Sequence, residues 1–272
     1  MVRFYISKKM ILFAFIVLCV VIIVLATMYI LSVDVTVQTI TVAKYVYPHK
    51  ESVVAVCEDD VDMVDIYNQL ATASDIEMFD GTQIPKIIHQ TWSSNTMFTL
   101  YGKAVQSVRD DYQDVTHLLS DDHDCNQMIE VIGEYIPGLV QSYKSLVPGA
   151  FKADLYRLAV VWYTGGLYLD ICFNTGLWRH CTTRLQPRTD LLLCEDIIPE
   201  KALYQAIFGA KKNHPAILYT LNQIIVDVLA RREPVHHVLE VTGPYAFKVH
   251  MTKFFQDVPG TRVHMISHMN PN

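Results

Sequence analysis

The hydrophobic residues of the chain occur in runs of different period, and each period predicts a different kind of element. Met10 to Val33 is an uncharged apolar run of 24 residues. At about 1.5 Å per helical residue, this run is long enough to cross a bilayer core of ~30 Å. Signal peptides have apolar cores of about 7 to 15 residues, and no small-x-small cleavage site follows here. We therefore expect an uncleaved transmembrane anchor over residues 10–33.

The segment from Phe151 to Phe173 changes its period halfway. Apolar residues first recur at helical spacing: Leu155, Leu158, Ala159 and Trp162. Gly165-Gly166 predicts the end of this helix, because glycine adopts the left-handed conformation at no steric cost. Beyond the glycines the period is two, so that Leu167 and Leu169 face one side and Asp170 the other. The pattern predicts a strand that carries Asp170 to the edge of a sheet, where open α/β sheets bind their ligands.

Shorter patterns complete an α/β domain. Apolar runs predict strands at Ile87-Ile88, Val115–Leu119 and Thr189–Cys194. Helical spacing predicts helices that begin near Tyr101, Cys125 and Ala216, and Asp121 is interpreted as a helix N-cap. We expect this domain to cover residues 84–272. The acidic, weakly patterned residues 34–83 are interpreted as a stem, with a strand in 33–46 as the alternative, and residues 1–9 as a cytosolic tail.

Charge orients the predicted anchor and narrows the class of protein. Arg3, Lys8 and Lys9 precede the apolar run and Asp34 follows it, which places the N-terminus in the cytosol under the positive-inside rule. The remaining chain would then be luminal, as in a single-pass type II membrane protein. The formal net charge of −6 argues against a nucleic-acid partner. The six cysteines include no Cys-x-x-Cys pair, which gives no indication of a zinc site.

Five short motifs together resemble one family of enzymes. They are Ile84–Trp92, Asp154-Leu155-Tyr156-Arg157, Gly165-Gly166-Leu167-Tyr168, Asp170-Ile171-Cys172 and Thr242-Gly243-Pro244. Their types and spacing resemble glycosyltransferase family 32, the DXD-containing sugar transferases that include fungal Golgi mannosyltransferases. The resemblance implies a GT-A type, Rossmann-like domain that binds a nucleotide sugar. It also implies a retaining transfer of a hexose, such as mannose, to a glycan, glycolipid or glycoprotein acceptor in the Golgi or endoplasmic reticulum lumen.

The resemblance also implies roles for individual residues. Asp154 and Arg157 would bind hydroxyl groups of the donor, and Asp170 would hold its ribose and a divalent metal ion. Trp92 would stack on the base of the nucleotide, since an indole offers a broad flat face to a planar ring. The remaining members of the predicted donor site are Gly166 and Tyr168.

Cys172 departs from the family pattern, because it stands where a second aspartate is expected. Mn²⁺ and Mg²⁺ prefer oxygen ligands, while thiolates select softer metals. Three interpretations follow: a metal ion bound weakly through Asp170, the donor diphosphate and water, with Cys172 beside it; catalysis without metal; or a domain that has lost its activity. We favour a working enzyme with altered metal dependence. The alternatives from other classes are a non-catalytic module that binds nucleotide sugars and a structural partner of an active transferase.

Overall fold

A mixed eight-stranded sheet forms the centre of the computed structural model. The structure describes residues 39–42, 44–48, 55–58, 62–173, 187–196, 203–232, 234, 238–260 and 263–266. These residues belong to a unit that begins at Thr39. The predicted tail and anchor, residues 1–9 and 10–33, lie outside the described residues. Within the described ranges, no helix combines the length and the apolar character that a membrane span requires.

Strands and helices alternate along most of the described chain. The strands are β1 (Thr39–Thr41), β2 (Tyr45–Pro48), β3 (Ala55–Glu58), β4 (Ile87–Thr91), β5 (Thr96–Phe98), β6 (Thr116–Ser120), β7 (Gly166–Leu169), β8 (Leu191–Glu195), β9 (Leu203–Ala210) and β10 (Val263–Ile266). The helices are α1 (Met63–Thr72), α2 (Thr99–Asp111), α3 (Asp122–Gly133), α4 (Leu139–Ser145), α5 (Gly149–Thr164), α6 (Pro215–Leu229) and α7 (Pro244–Asp257), with a 3-10 turn at Val238–Glu240. The predicted α/β fold class is confirmed.

The order of the strands brings several carboxyl ends to one edge. The sheet runs β10-β8-β9-β7-β4-β6-β2-β3, and β1 pairs with β5 in a separate two-stranded ribbon. β4 is parallel to both β6 and β7, while β9 is antiparallel to both β7 and β8. The carboxyl ends of β4, β6, β7 and β8 therefore share an edge with the amino end of β9.

β4 marks the switch point of the sheet. The next strand of the sheet along the chain, β6, lies on one side of β4, and β7 lies on the other. Connections that leave on opposite sides open a crevice at the carboxyl ends of the strands, where doubly wound sheets bind ligands. Trp92 follows β4 and Asp170 follows β7, so both residues border this crevice.

Helices cover both faces of the sheet. The larger core contains residues from α1, α3, α4, α5, α6 and α7, packed on the face that carries Ile87 and Tyr168. The smaller core lies on the opposite face, where Val108 of α2 meets Ile88, Leu167 and Leu169. The predicted alternation along β7 is thus confirmed. Asp170 is the residue directly after the end of β7.

Part of the predicted stem belongs to the folded core. α1 buries Met63 and Tyr67, and Tyr67 has 0% exposure. β2 and β3 also extend the sheet beyond β6. The interpretation of residues 34–83 as a stem was wrong for α1, because the flanking acidic residues obscured its helical spacing. Asp62, one of the acidic residues of this segment, accepts a hydrogen bond from the amide of Val64 and so caps this helix.

Candidate active site

Arg157 lies at the centre of a buried polar cluster at the edge of the sheet. It extends from α5, and its side chain is 8% exposed. Its Nη1 donates to the carbonyl of Gln205 at 3.1 Å and its Nε to the carbonyl of Ala153 at 3.3 Å. Its Nη2 lies 3.3 Å from Oδ1 of Asp154 and 3.4 Å from Oδ1 of Asp170. The guanidinium fork is therefore fixed by four groups, as suits its planar donors.

Asp154 supports Arg157 from one helical turn away. Its Oδ1 also accepts a hydrogen bond from Nε2 of Gln205 at 2.6 Å, and its Oδ2 accepts one from the hydroxyl of Thr242 at 2.8 Å. Burial raises the pKa of Asp154, while the charge of Arg157 and the bond from Thr242 lower it. Both oxygens of this carboxylate are thus occupied by protein groups. In this arrangement Asp154 orients Arg157, and a donor hydroxyl would have to displace a protein partner to reach it.

Tyr168 forms the floor beneath the guanidinium. The centre of the Arg157 guanidinium lies 4.7 Å from the centroid of the Tyr168 ring, a cation–π contact. The ring of Tyr168 also stacks near that of Phe208, with centroids 6.0 Å apart. Tyr168 is 1% exposed, and burial raises the pKa of its hydroxyl. The structure therefore places Tyr168 below the cluster, where it supports Arg157 from beneath.

Asp170 is the accessible carboxylate of the cluster. Its side chain is 32% exposed, against 11% for Asp154. Its backbone is fixed on three sides: its amide donates to the carbonyl of Ala206 at 2.9 Å, and its carbonyl accepts from the amide of Phe173 at 3.2 Å. The third contact is a long one, from Nε2 of Gln90 to the same carbonyl at 3.5 Å. The turn thus presents the carboxylate of Asp170 at the crevice, and one side of this carboxylate contacts Arg157.

Cys172 is exposed in the turn that follows Asp170. Burial of part of the thiol raises its pKa, and the nearby charge of Asp170 raises it further. The same two residues, together with Asp196, raise the pKa of the Tyr204 hydroxyl, although burial is the larger cause. The edge therefore carries the neutral thiol of Cys172 and the neutral phenol of Tyr204 near the carboxylate of Asp170.

The donor set at this edge does not match a resident Mn²⁺ or Mg²⁺ site. Among the described residues there is no group of three His, Cys, Asp or Glu side chains placed to hold a metal ion. Asp170 supplies one carboxylate, which is also paired with Arg157. Cys172 offers a neutral thiol, a poor ligand for hard cations. The assignment of Asp170 and Cys172 as metal ligands stays a prediction.

Trp92 lies beside the Asp170 turn. It is half-buried and packs against an apolar cluster that includes Ile171. The edge of one ring meets the face of the other between Trp92 and Tyr101, with centroids 5.1 Å apart. Its position borders the crevice, and its stacking on a base stays a prediction.

Gly166 does not lie at the crevice. It begins β7 at the end opposite Asp170, is buried and has a φ of +104°. A Cβ at this position would lie 2.6 Å from the carbonyl oxygen of Ile87 and 3.2 Å from Nε2 of His89. A contact with the donor was therefore the wrong prediction for Gly166. Glycine is required here because the strand passes too close to β4 for any side chain.

Sequence reasoning missed several members of the cluster. Gln205 was assigned no role, although it bonds both Asp154 and Arg157 across about 50 positions of the chain. Thr242 gave a partial signal, because Thr242-Gly243-Pro244 is one of the five motifs that carry the family resemblance. Gln90 lies two residues before Trp92 in the matched Ile84–Trp92 motif. No pattern in a single sequence joins residues this far apart.

Comparison with characterised proteins shows three similar fungal sequences. Inositol phosphoceramide mannosyltransferase 3 of Schizosaccharomyces pombe is 27% identical over 180 residues, which are 66% of this chain and 47% of that protein. Initiation-specific alpha-1,6-mannosyltransferase of Candida albicans is 30% identical over 96 residues, 34% of this chain and 25% of that protein. Mannosyl phosphorylinositol ceramide synthase CSH1 of Saccharomyces cerevisiae is 26% identical over 166 residues, 61% and 42% of the two chains.

These relatives confirm the predicted resemblance to glycosyltransferase family 32. The chain spans less than half the length of each of the three. No protein-family model matches the chain. Among solved structures, PaToxG glycosyltransferase has a TM-score of 0.49 at 19% identity, covering 72% of this chain and 78% of that one. A likeness at this level is too weak to establish a common fold.

Proposed function

We propose that this chain is a retaining glycosyltransferase that moves a hexose from a nucleotide sugar to a glycan or glycolipid acceptor. The proposed hexose is mannose. The observation that carries the proposal is the accessible carboxylate of Asp170 at the switch point of the sheet, backed by the buried Arg157–Asp154 pair. The names of the three fungal relatives support mannose as the sugar.

The chemistry of sugar transfer fits groups of this kind. Breaking the bond between the anomeric carbon and a phosphate builds positive charge in the sugar ring and negative charge on the leaving diphosphate. Asp170 accepts hydrogen bonds from donor hydroxyls and so fixes the position of the donor. Arg157 contributes a fixed positive charge behind this carboxylate. Asp154, Tyr168, Gln205 and Thr242 hold that charge in place, so that little reorganisation is needed during the reaction.

The finer assignments of fold and location are part of the proposal. Three parallel strands around a switch point, with the candidate carboxylate directly after one of them, support a GT-A type nucleotide-sugar domain. The apolar run of residues 10–33 and the basic residues before it support a type II signal anchor. That orientation would place the domain on the luminal side, and the Golgi or endoplasmic reticulum is the compartment that the family resemblance implies.

Cys172 favours a second candidate function, a membrane-anchored module that binds nucleotide sugars without turnover. A neutral thiol in place of a carboxylate leaves the site with less capacity to hold a divalent ion. Such a module would keep donor binding, because Asp170 and Arg157 are still present. It would lack release of nucleoside diphosphate from the donor.

Donor hydrolysis by the detergent-purified full chain tests the proposal. GDP-mannose and UDP-glucose are each supplied with and without Mn²⁺, and the released nucleoside diphosphate is measured. We expect release from one donor, and a loss of at least about 100-fold in the Asp170→Asn variant, since the removed charge cannot be replaced. Binding of a donor without release would support the module instead. Absence of both binding and release would contradict the proposal.

A further inference from the structure

A second series of hydrogen bonds reaches Asp170 from the opposite face of the sheet. On the face that packs against α2, Nε of Arg109 donates to Nδ1 of His117 at 3.0 Å. Nε2 of His117 lies 2.7 Å from Oε1 of Gln90. The last hydrogen bond of the series runs from Nε2 of Gln90 to the carbonyl of Asp170 at 3.5 Å. The series thus runs from a helix, through two strands, to the turn that carries the candidate carboxylate.

The series of hydrogen bonds has a defined direction, because its first member, Arg109, can only donate. The guanidinium of Arg109 has no acceptor atom, so Nδ1 of His117 accepts. Burial, followed by the charge of Arg109, lowers the pKa of His117 well below its usual value, and the ring is therefore neutral with its proton on Nε2. That proton is donated to Oε1 of Gln90. The amide of Gln90 is thereby oriented with its NH₂ group toward Asp170.

All three members are enclosed. Arg109 is 9% exposed, His117 2% and Gln90 0%. Burial keeps these hydrogen bonds free of competition from water, and a buried polar group that loses its partner costs about 1–3 kcal/mol. Flipping the Gln90 amide would turn its NH₂ group against the donating Nε2 of His117. The network therefore holds one orientation.

We propose that Gln90, oriented by His117 and Arg109, is a positioning residue that fixes the turn bearing Asp170. Arg157 holds the carboxylate of Asp170 from the α5 face, and Gln90 holds its carbonyl from the α2 face. The carbonyl also closes the turn through the amide of Phe173. Loss of the Gln90 donor frees this turn, and the carboxylate moves relative to the donor sugar. The catalytic meaning of this inference rests on the proposed function.

The Gln90→Glu variant tests the inference, because it keeps the acceptor for His117 and removes the donor to Asp170. Gln90→Met removes the donor without adding a charge, in case the carboxylate of the first variant disrupts folding. Tyr67→Phe is the matched control. It removes a buried hydroxyl from the other face of β4, where Tyr67 bonds Ser120 and Tyr156 rather than Asp170.

Two measurements are made on the full chain in detergent. Hydrogen exchange followed by mass spectrometry reports on peptides that contain residues 170–173, and donor turnover reports on the reaction. We expect exchange in this turn at least tenfold faster in both Gln90 variants, and kcat/KM for the donor at least tenfold lower. The Tyr67→Phe variant should change neither quantity by more than about threefold.

Three results would overturn the inference. They are unchanged exchange in both Gln90 variants, an equal effect of Tyr67→Phe, and faster exchange with unchanged turnover. If the wild-type chain turns over no donor, the proposed function fails. Exchange of the turn still decides whether Gln90 holds Asp170.

Discussion

Asp170 depends on its neighbours for both its charge and its position. Its carboxylate is paired with Arg157 at 3.4 Å, and its backbone is bonded to residues of β9, β4 and its own turn. An isolated surface carboxylate would lose rotamer freedom on binding a ligand. Here that cost is met during folding, so the proposed donor meets a group that is already placed.

Replacing Arg157 by lysine should show that the shape of the cation matters as well as its charge. A lysine has one ammonium group and cannot reach the four partners that the guanidinium contacts. We expect donor turnover to fall at least tenfold and the free energy of unfolding to fall by roughly 1–3 kcal/mol. Arg232→Lys is the control, since Arg232 is 67% exposed in its pair with Asp227. Equal effects of the two substitutions would refute this role.

Replacing Cys172 by aspartate should give the site a metal response. A second carboxylate beside Asp170 adds the hard oxygen ligand that the present thiol lacks. We expect Mn²⁺ to stimulate donor hydrolysis more strongly in Cys172→Asp than in the wild type, by about fivefold or more. The measurement is a Mn²⁺ titration of both proteins. An identical response would count against placing a metal ion at this turn.

At the scale of elements, α5 and β7 act as one unit that delivers the cluster. α5 ends at Thr164, Gly165 caps it with a φ of +76°, and β7 begins at Gly166. Asp154 lies in the first half of α5 and Arg157 at its middle, and both contact the cluster at the sheet edge to which β7 returns with Asp170. The tight turn between them sets the distance from the helix pair to the strand carboxylate.

Substitution of Gly166 by alanine should destabilise this unit. A Cβ there would lie 2.6 Å from the carbonyl oxygen of Ile87, and the φ of +104° is unfavourable for any side chain. We expect a loss of roughly 2–4 kcal/mol in the free energy of unfolding, from clash and backbone strain together. Gly149→Ala serves as control, because a Cβ added at Gly149 would have no atom within 4 Å. Similar stability of both variants would contradict this explanation.

The order of elements around the site could be predicted from the sequence because it depends on local spacing. Leu167 and Leu169 alternate with Tyr168, and the observed strand keeps that alternation. α1 was missed because Asp62 and Asp65 gave its surroundings the charge of a solvated segment. The contacts of Gln205, Thr242 and Gln90 with the cluster could not be predicted, because they arise only when distant strands and turns meet.

At the scale of the whole molecule, the sheet carries polar groups in both of its cores. On the α5 face, His89 contacts the hydroxyl of Tyr67 at 3.3 Å and the carbonyl of Gly165 at 2.9 Å. The α2 face carries the series of hydrogen bonds from Arg109 through His117 to Gln90. Satisfied networks of this kind fix one arrangement of the packed elements, at the cost of sensitivity to protonation.

Stability should therefore fall in mild acid. Burial lowers the pKa of His89 to about 4 and that of His214 to about 4. The unfolded chain binds these protons near pH 6.5, so their contribution is complete above that pH and is lost as the pH falls toward 4. We expect a slope of roughly 1.4 kcal/mol per pH unit for each histidine, measured by urea unfolding between pH 7 and 5. His89→Gln should show a shallower slope, and an equal slope would contradict the assignment.

The most direct test of the account is a crystal structure of the full chain with GDP-mannose or UDP-glucose bound. The account predicts a sugar or ribose hydroxyl within hydrogen-bond distance of the Asp170 carboxylate, at the carboxyl ends of β4 and β7. A nucleotide sugar bound elsewhere, with the carboxylate of Asp170 free of the ligand, would contradict it.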